Sequence, residues 1–189
     1  MSVMRLHGID REAWNRYTSR SPAWRYAVVE AGYKYNLTDL AAAIGREQLK
    51  KAAAFLARRA AIAGRFQAAL AGRDWLRLPP DGPGNAWHLY IVRIVPERLS
   101  ISRDDLIAKL AERGIGTSVH YIPLHIMPYY SKRYGLKPAD FPRSLAAYEQ
   151  AVSLPIYPGL SDEQVERIIA VVLETGDGNY LALRSTSGR

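Results

Sequence analysis

Two stretches of the chain carry side chains whose types and spacing suit chemistry. The first is Gly32-Tyr33-Lys34-Tyr35-Asn36-Leu37-Thr38-Asp39, at the head of a helix-favouring run. A helix start offers unpaired backbone N–H groups and a partial positive charge, so the Asn36 amide and the Lys34 ammonium would complete a phosphate site there. The same residues also read as an ordinary asparagine cap beside a solvated lysine. The second stretch is His120-Tyr121-Ile122-Pro123-Leu124-His125. Either imidazole can orient a substrate or carry a proton near neutral pH, and a histidine where a strand meets an irregular loop is well placed for that. A structural role, with ring N–H groups bonded to backbone carbonyls, stands equally for His125 and is the expectation for His88. As metal ligands the two are poor. Pro123 precludes a regular helical i,i+4 pair and no Cys or carboxylate lies beside them, so no metal is expected.

Other chemistries find no support. The 189 residues include no cysteine, which excludes disulfides and thiolate catalysis. No Gly-x-Ser-x-Gly elbow, Walker loop or dinucleotide glycine fingerprint is present. The net charge of +8 raises the question of nucleic acid. Its distribution argues against that partner, because the bases fall in short pairs such as Lys50-Lys51 and Arg58-Arg59, interleaved with acids. Small anionic phosphates, or an acidic remainder of a larger protein, account for the excess as well. No apolar run approaches the roughly 20 residues of a membrane helix. Met1-Ser2-Val3-Met4-Arg5-Leu6-His7 also lacks the apolar region of a secretory signal, so a cytoplasmic location is expected.

These residues need elements to position them. From Leu37 to Leu70 the pattern predicts one long helix capped by Asn36 with Asp39 at its third position, burying a single stripe through Leu37, Leu40, Ile44, Phe55, Ile62, Phe66 and Leu70. Gly45 and Gly64 are expected to mark bends or close packing. Before that helix, the rings of Trp14, Tyr17, Trp24 and Tyr26 call for a partner surface. After it come a Pro/Gly turn at 79–84, a strand from Trp87 to Val95, a helix capped by Ser102 and closed by Gly114, and a second strand from Ile115 to Tyr121. Pro123 to Asp140 reads as irregular. Pro142 opens a helix running to about Val152, Ser153 to Pro158 is extended at a sheet edge, and Ser161-Asp162-Glu163-Gln164 caps a last helix facing inward through Val165, Ile168, Ile169 and Val172. A mobile tail is expected over 176–189. The order implies an α/β or α+β layer with helices on a sheet face.

Three landmarks in order, Tyr33-Lys34-Tyr35-Asn36-Leu37-Thr38-Asp39, His120-Tyr121-Ile122-Pro123-Leu124-His125 and Ser153-Leu154-Pro155-Ile156-Tyr157-Pro158-Gly159, resemble the C-terminal half of DegT-type sugar aminotransferases. These are pyridoxal-phosphate (PLP) enzymes that convert nucleotide-linked keto sugars to amino sugars in polysaccharide pathways. The resemblance runs from about Arg5 to Val172. It implies part of the type I PLP-transferase fold: a remnant of the large PLP-binding domain over 1–36, a long interdomain helix over 37–71 and a small α/β domain over 72–175. By the same resemblance Asn36, with Lys34 close by, reaches the PLP phosphate of a neighbouring subunit. His120, with Tyr121 and His125 of its motif, lines the sugar-nucleotide side of the cleft, and glutamate is the usual amino donor. None of Lys34, Lys50, Lys51, Lys109, Lys132 or Lys137 lies in the context of the family's Schiff-base lysine, and Leu145 stands where relatives often carry an acid. The chain alone is therefore expected to hold no catalytic residue and to act as a homo-oligomer or with the complementary half. The competing reading is a non-catalytic module that binds a full-length aminotransferase subunit.

Overall fold

A computed structural model describes residues 1–10 and 26–182. The chain forms two compact units, Met1–Ala52 and Ala53–Arg189.

In the first unit the opening residues pair back on the segment that precedes the long helix. Leu6 bridges Lys34 and Ile9 bridges Val28, both antiparallel. The N–H of His7 donates to Tyr33 O at 2.9 Å, and that of Tyr35 to Arg5 O at 2.8 Å. The two strands of chain approach so closely that a Cβ on Gly32 would lie 1.9 Å from Gly8 N, so this crossing requires glycine. Tyr33 and Tyr35 stack at 5.0 Å. Trp14, Tyr17 and Trp24 lie outside the described residues.

Helix α1 spans Asp39–Leu70. Its cap is Thr38, and this corrects the assignment of Asn36 as N-cap. The Thr38 Oγ1 accepts from the Ala41 N–H at 3.3 Å while its carbonyl accepts from the Ala42 N–H at 2.9 Å. Those are the two duties of an N-cap, and Asn36 sits two residues too early to perform either. The expected stripe also divides. Leu37, Leu40 and Ile44 are 61%, 78% and 59% exposed, whereas Ile62, Phe66 and Leu70 are buried. Periodicity sets which residues share a face, but burial needs an element over that face, and only the last turns have one among the described residues. Gly45 and Gly64 stand in open space, not at close contacts.

In the second unit, β1 (Leu76–Arg77), β2 (Tyr90–Ile94) and β3 (Ala151–Leu154) form an antiparallel sheet in that order. The register sets Leu76 against Ile94 and Val92 against Val152. Alternation along β2 buries Tyr90, Val92 and Ile94 and turns Ile91 and Arg93 to the opposite face. The core joins these residues to the end of α1, to Leu106 and Leu110 of α2 (Arg103–Glu112), and to Val165, Ile168 and Val172 of α5 (Asp162–Asp177). Phe66 meets Tyr90 edge-on at 5.0 Å. Both predicted caps, Ser102 and Ser161, are present as capping boxes, with Asp105 and Gln164 respectively.

Residues 115–121 do not form a strand; Ser118 alone bridges Ser153. In that antiparallel register Gly116 would face Pro155, which has no N–H to offer, and the chain bends at His120, so the ladder ends on both sides. The segment 123–140 is not irregular. It holds 3-10 turns at Leu124–Ile126 and Pro138–Asp140 around helix α3 (Pro128–Tyr134). Pro128 opens α3 and Gly135, at φ 65°, ends it. Helix α4 (Pro142–Gln150) stops before β3 begins at Ala151. Finally, the chain beyond Gly176 is anchored as far as it is described: Ser100 N–H donates to Asn179 O and Leu181 N–H to Arg98 O, both at 2.9 Å. Residues 183–189 lie outside the described part. No helix among the described residues is long and apolar enough to cross a membrane.

Candidate functional site

The second unit holds a cleft of about 720 Å³ on the sheet face opposite the core. Its floor comes from Ile91 and Arg93 of β2 and Ala151 of β3, one wall from His120 to Leu124, and the other from Ser144, Ala147 and Tyr148 of α4. The alternation of β2 is what delivers Arg93 here. Apolar side chains make up most of the surface, and no carboxylate contributes to it. Arg93 and His120 are the basic groups. Such a lining suits a ligand with a flat or apolar body and a negative group.

His120 is half-buried, with Nδ1 2.7 Å from the Ser153 Oγ. Its ring meets that of Tyr121 edge-on at 4.7 Å, and Tyr121 itself is 76% exposed. The α4 wall is held from behind by Arg103, the first residue of α2, which is 7% exposed. Its guanidinium donates to the carbonyls of Tyr148 at 3.1 Å and Ala151 at 3.2 Å and stacks 4.9 Å from the Tyr148 ring. One buried cation thus ties α2 to the α4–β3 junction, with Asp104 2.6 Å from its Nε as counter-charge.

The structure brings His120 and Tyr121 together in the cleft and leaves His125 out of its lining. His125 is 6% exposed, packs 4.9 Å from the Phe141 ring, and has no partner for Nε2 among the described residues. Lys34 and Asn36 belong to the first unit. Both are exposed just before α1, and the backbone of Lys34 is fixed by its bridge to Leu6. No group of three or more metal-ligating side chains occurs among the described residues. Sequence reasoning missed Arg93, Ser153 and Tyr148. Arg93 had a signal, a lone charge inside an apolar strand and out of phase with its buried residues. Ser153 and Tyr148 had none, since their roles depend on pairings made over distances of more than thirty residues.

The chain matches the model of the DegT/DnrJ/EryC1/StrS aminotransferase family over residues 1–173. It is 43% identical over 179 residues to the spore coat polysaccharide biosynthesis protein SpsC of Bacillus subtilis, covering 93% of this chain and 46% of that protein. It is 44% identical over 174 residues to the uncharacterized protein MJ1066 of Methanocaldococcus jannaschii, covering 91% of this chain and 45% of that one. Among solved structures, the PMP form of Spr1654 from Streptococcus pneumoniae superposes with a TM-score of 0.74 at 31% identity, over 93% of this chain and 44% of that one. The PLP form of the same protein gives 0.73 at 30%. The chain spans about half the length of the curated relatives it matches. With a family model covering nearly its whole length, the chain belongs to the DegT/DnrJ/EryC1/StrS aminotransferase family.

Proposed function

We propose that this chain forms the C-terminal portion of a PLP-dependent aminotransferase acting on nucleotide-linked keto sugars, as part of amino-sugar or polysaccharide synthesis. The observation that carries the reading is the cleft beside His120. It offers an apolar floor for a base or sugar, Arg93 for a phosphate, and no carboxylate to repel one. The name of the Bacillus relative and the PLP and PMP forms of Spr1654 support the same reading.

Lys34 and Asn36 fit the cofactor's phosphate chemically: an ammonium and an amide, both exposed, immediately before the N-terminus of a 32-residue helix. When bound, PLP would supply the electron sink that lets an amino group pass between donor and acceptor. The residues of this chain would bind and orient. Arg93 neutralises the nucleotide's phosphate, His120 and Tyr121 present polar atoms to the sugar, and Arg103 holds the α4 wall in place. Since no lysine here lies in the context of the family's catalytic lysine, activity requires the complementary part of the enzyme, in a homo-oligomer or a complex. The exposed Leu37 just before α1, with Leu40, Ile44 and Leu49 on it, favours such association over a free monomer.

Titration of the chain with uridine and thymidine diphosphates, followed by NMR, tests the cleft. We expect His120 and Tyr121 resonances to move, and Arg93→Ala to weaken binding by about 10- to 100-fold, the value of a hydrogen bond to a charged group. Equal binding by parent and Arg93→Ala, or shifts confined to other surfaces, would contradict the assignment.

A further inference from the structure

We infer that Ser153 is a positioning residue for His120, setting which ring nitrogen faces the cleft. Ser153 is 4% exposed in the middle of a strand whose other members, Ala151, Val152 and Leu154, are apolar. A hydroxyl there loses its water and must find a partner inside the protein. Its backbone is already committed to Ser118, donating to that carbonyl at 2.7 Å and accepting from that N–H at 3.2 Å. In extended chain, residues two apart share a face. The bridge that pins Ser118 therefore also brings the ring of His120 to the Ser153 side, where Oγ meets Nδ1 at 2.7 Å.

The consequence is directional. With Nδ1 held against β3, Nε2 is the polar atom left on the ring, and it has no partner among the described residues. His120 thus offers Nε2 to whatever occupies the cleft, with the Tyr121 ring edge-on beside it. The Ser153 hydroxyl accepts from an Nδ1–H or donates to a bare Nδ1, so it fixes the ring's orientation, and Nε2 is the atom the cleft sees in either tautomer. The effect on a ligand rests on the nucleotide-sugar reading; the effect on the ring does not.

The test uses the full chain labelled with 15N-histidine, as parent, Ser153→Ala and Ser153→Thr, at mildly alkaline pH where imidazole is neutral. The Nδ1 and Nε2 shifts of His120 in the parent should differ from those of free histidine, Nδ1 being hydrogen-bonded and Nε2 not. They should move toward those of free histidine in Ser153→Ala and return in Ser153→Thr, which keeps the hydroxyl. Uridine diphosphate should bind Ser153→Ala about fivefold more weakly than the parent, the scale of one ordinary hydrogen bond. Identical His120 shifts in parent and Ser153→Ala would overturn the inference. If Ser153→Ala does not fold, a parent whose His120 shifts equal those of free histidine overturns it equally, and shifts displaced alike in parent and Ser153→Thr support it. Failure of the parent to bind uridine diphosphate would count against the nucleotide-sugar reading alone, leaving Ser153 to be decided by the shifts.

Discussion

Gly176→Ala should destabilise the chain although it replaces a poor helix former with the best one. Gly176 is the next-to-last residue of α5, and a Cβ placed there would lie 2.1 to 2.6 Å from the ring of Trp75. That ring cannot swing away cheaply. It is 1% exposed, and its Nε1–H donates to Asp177 Oδ1 at 2.8 Å. Overpacking of this kind costs about 1–3 kcal/mol, and displacing the ring also strains a hydrogen bond to a carboxylate. Against this, alanine in place of glycine recovers at most about 1 kcal/mol in a helix interior and less in a last turn. The balance is a net loss of about 1–3 kcal/mol. Gly64→Ala supplies the control. It lies inside α1 with nothing near its Cβ position, so it should gain about 0.5–1 kcal/mol. Urea unfolding of both variants measures the pair. A Gly176→Ala protein as stable as the parent, or stabilised like Gly64→Ala, would refute the claim that this helix end is seated on Trp75.

Thr38→Ala should cost about 0.5–2 kcal/mol of stability by removing the α1 cap, whereas Asn36→Ala should leave unfolding unchanged; equal losses in thermal or urea unfolding would restore Asn36 as the cap. In an assembly that holds PLP, the ranking should reverse, with Asn36→Ala and Asn36→Asp releasing cofactor more readily than Thr38→Ala in equilibrium dialysis. The carboxylate of Asp162 is held below its ordinary range, first by its hydrogen bond with Arg58 and then by the charges of Arg58 and Arg65, at 2.8 and 2.7 Å. Because the folded value is the lower one, the contribution is complete above the ordinary aspartate pKa of about 3.9 and is lost as pH falls through the depressed value. Asp162→Asn should therefore flatten the acid limb of a stability-against-pH curve, and an unchanged limb would argue against the pairing.

Much of the fold was legible because local chemistry is explicit where helices begin. Ser102 with Asp105 and Ser161 with Gln164 announce their boxes at fixed spacing, and the β-branched run ending at Pro96 contains β2. Local reading failed where a distant partner decided the outcome. Residues 115–121 have strand composition, yet the register set by Ser118 and Ser153 ends the ladder at Pro155. The α1 stripe has helical spacing throughout, yet among the described residues only its last turns have a sheet to cover them. Asn36 and Thr38 are both acceptable caps by type, and two residues of phase decided between them. The site divides in the same way. The His120-Tyr121 pair was visible as a motif, and Arg93 was recoverable from the phase of β2. The Ser153 contact to His120 and the Arg103 clamp on α4 are products of tertiary register, which no single stretch of sequence encodes.

The central claim is that this chain supplies the nucleotide-sugar side of an aminotransferase whose lysine comes from a complementary segment. The most direct measurement combines the purified chain with the part of Bacillus subtilis SpsC that it does not match, in the presence of PLP and glutamate. Amino transfer to a panel of nucleotide-linked keto sugars is then followed by mass spectrometry, beside each component alone. The account predicts product from the combination, none from this chain alone, and a marked loss with Arg93→Ala. Turnover by the isolated chain, or stoichiometric PLP fixed by borohydride to one of its own lysines, would contradict it.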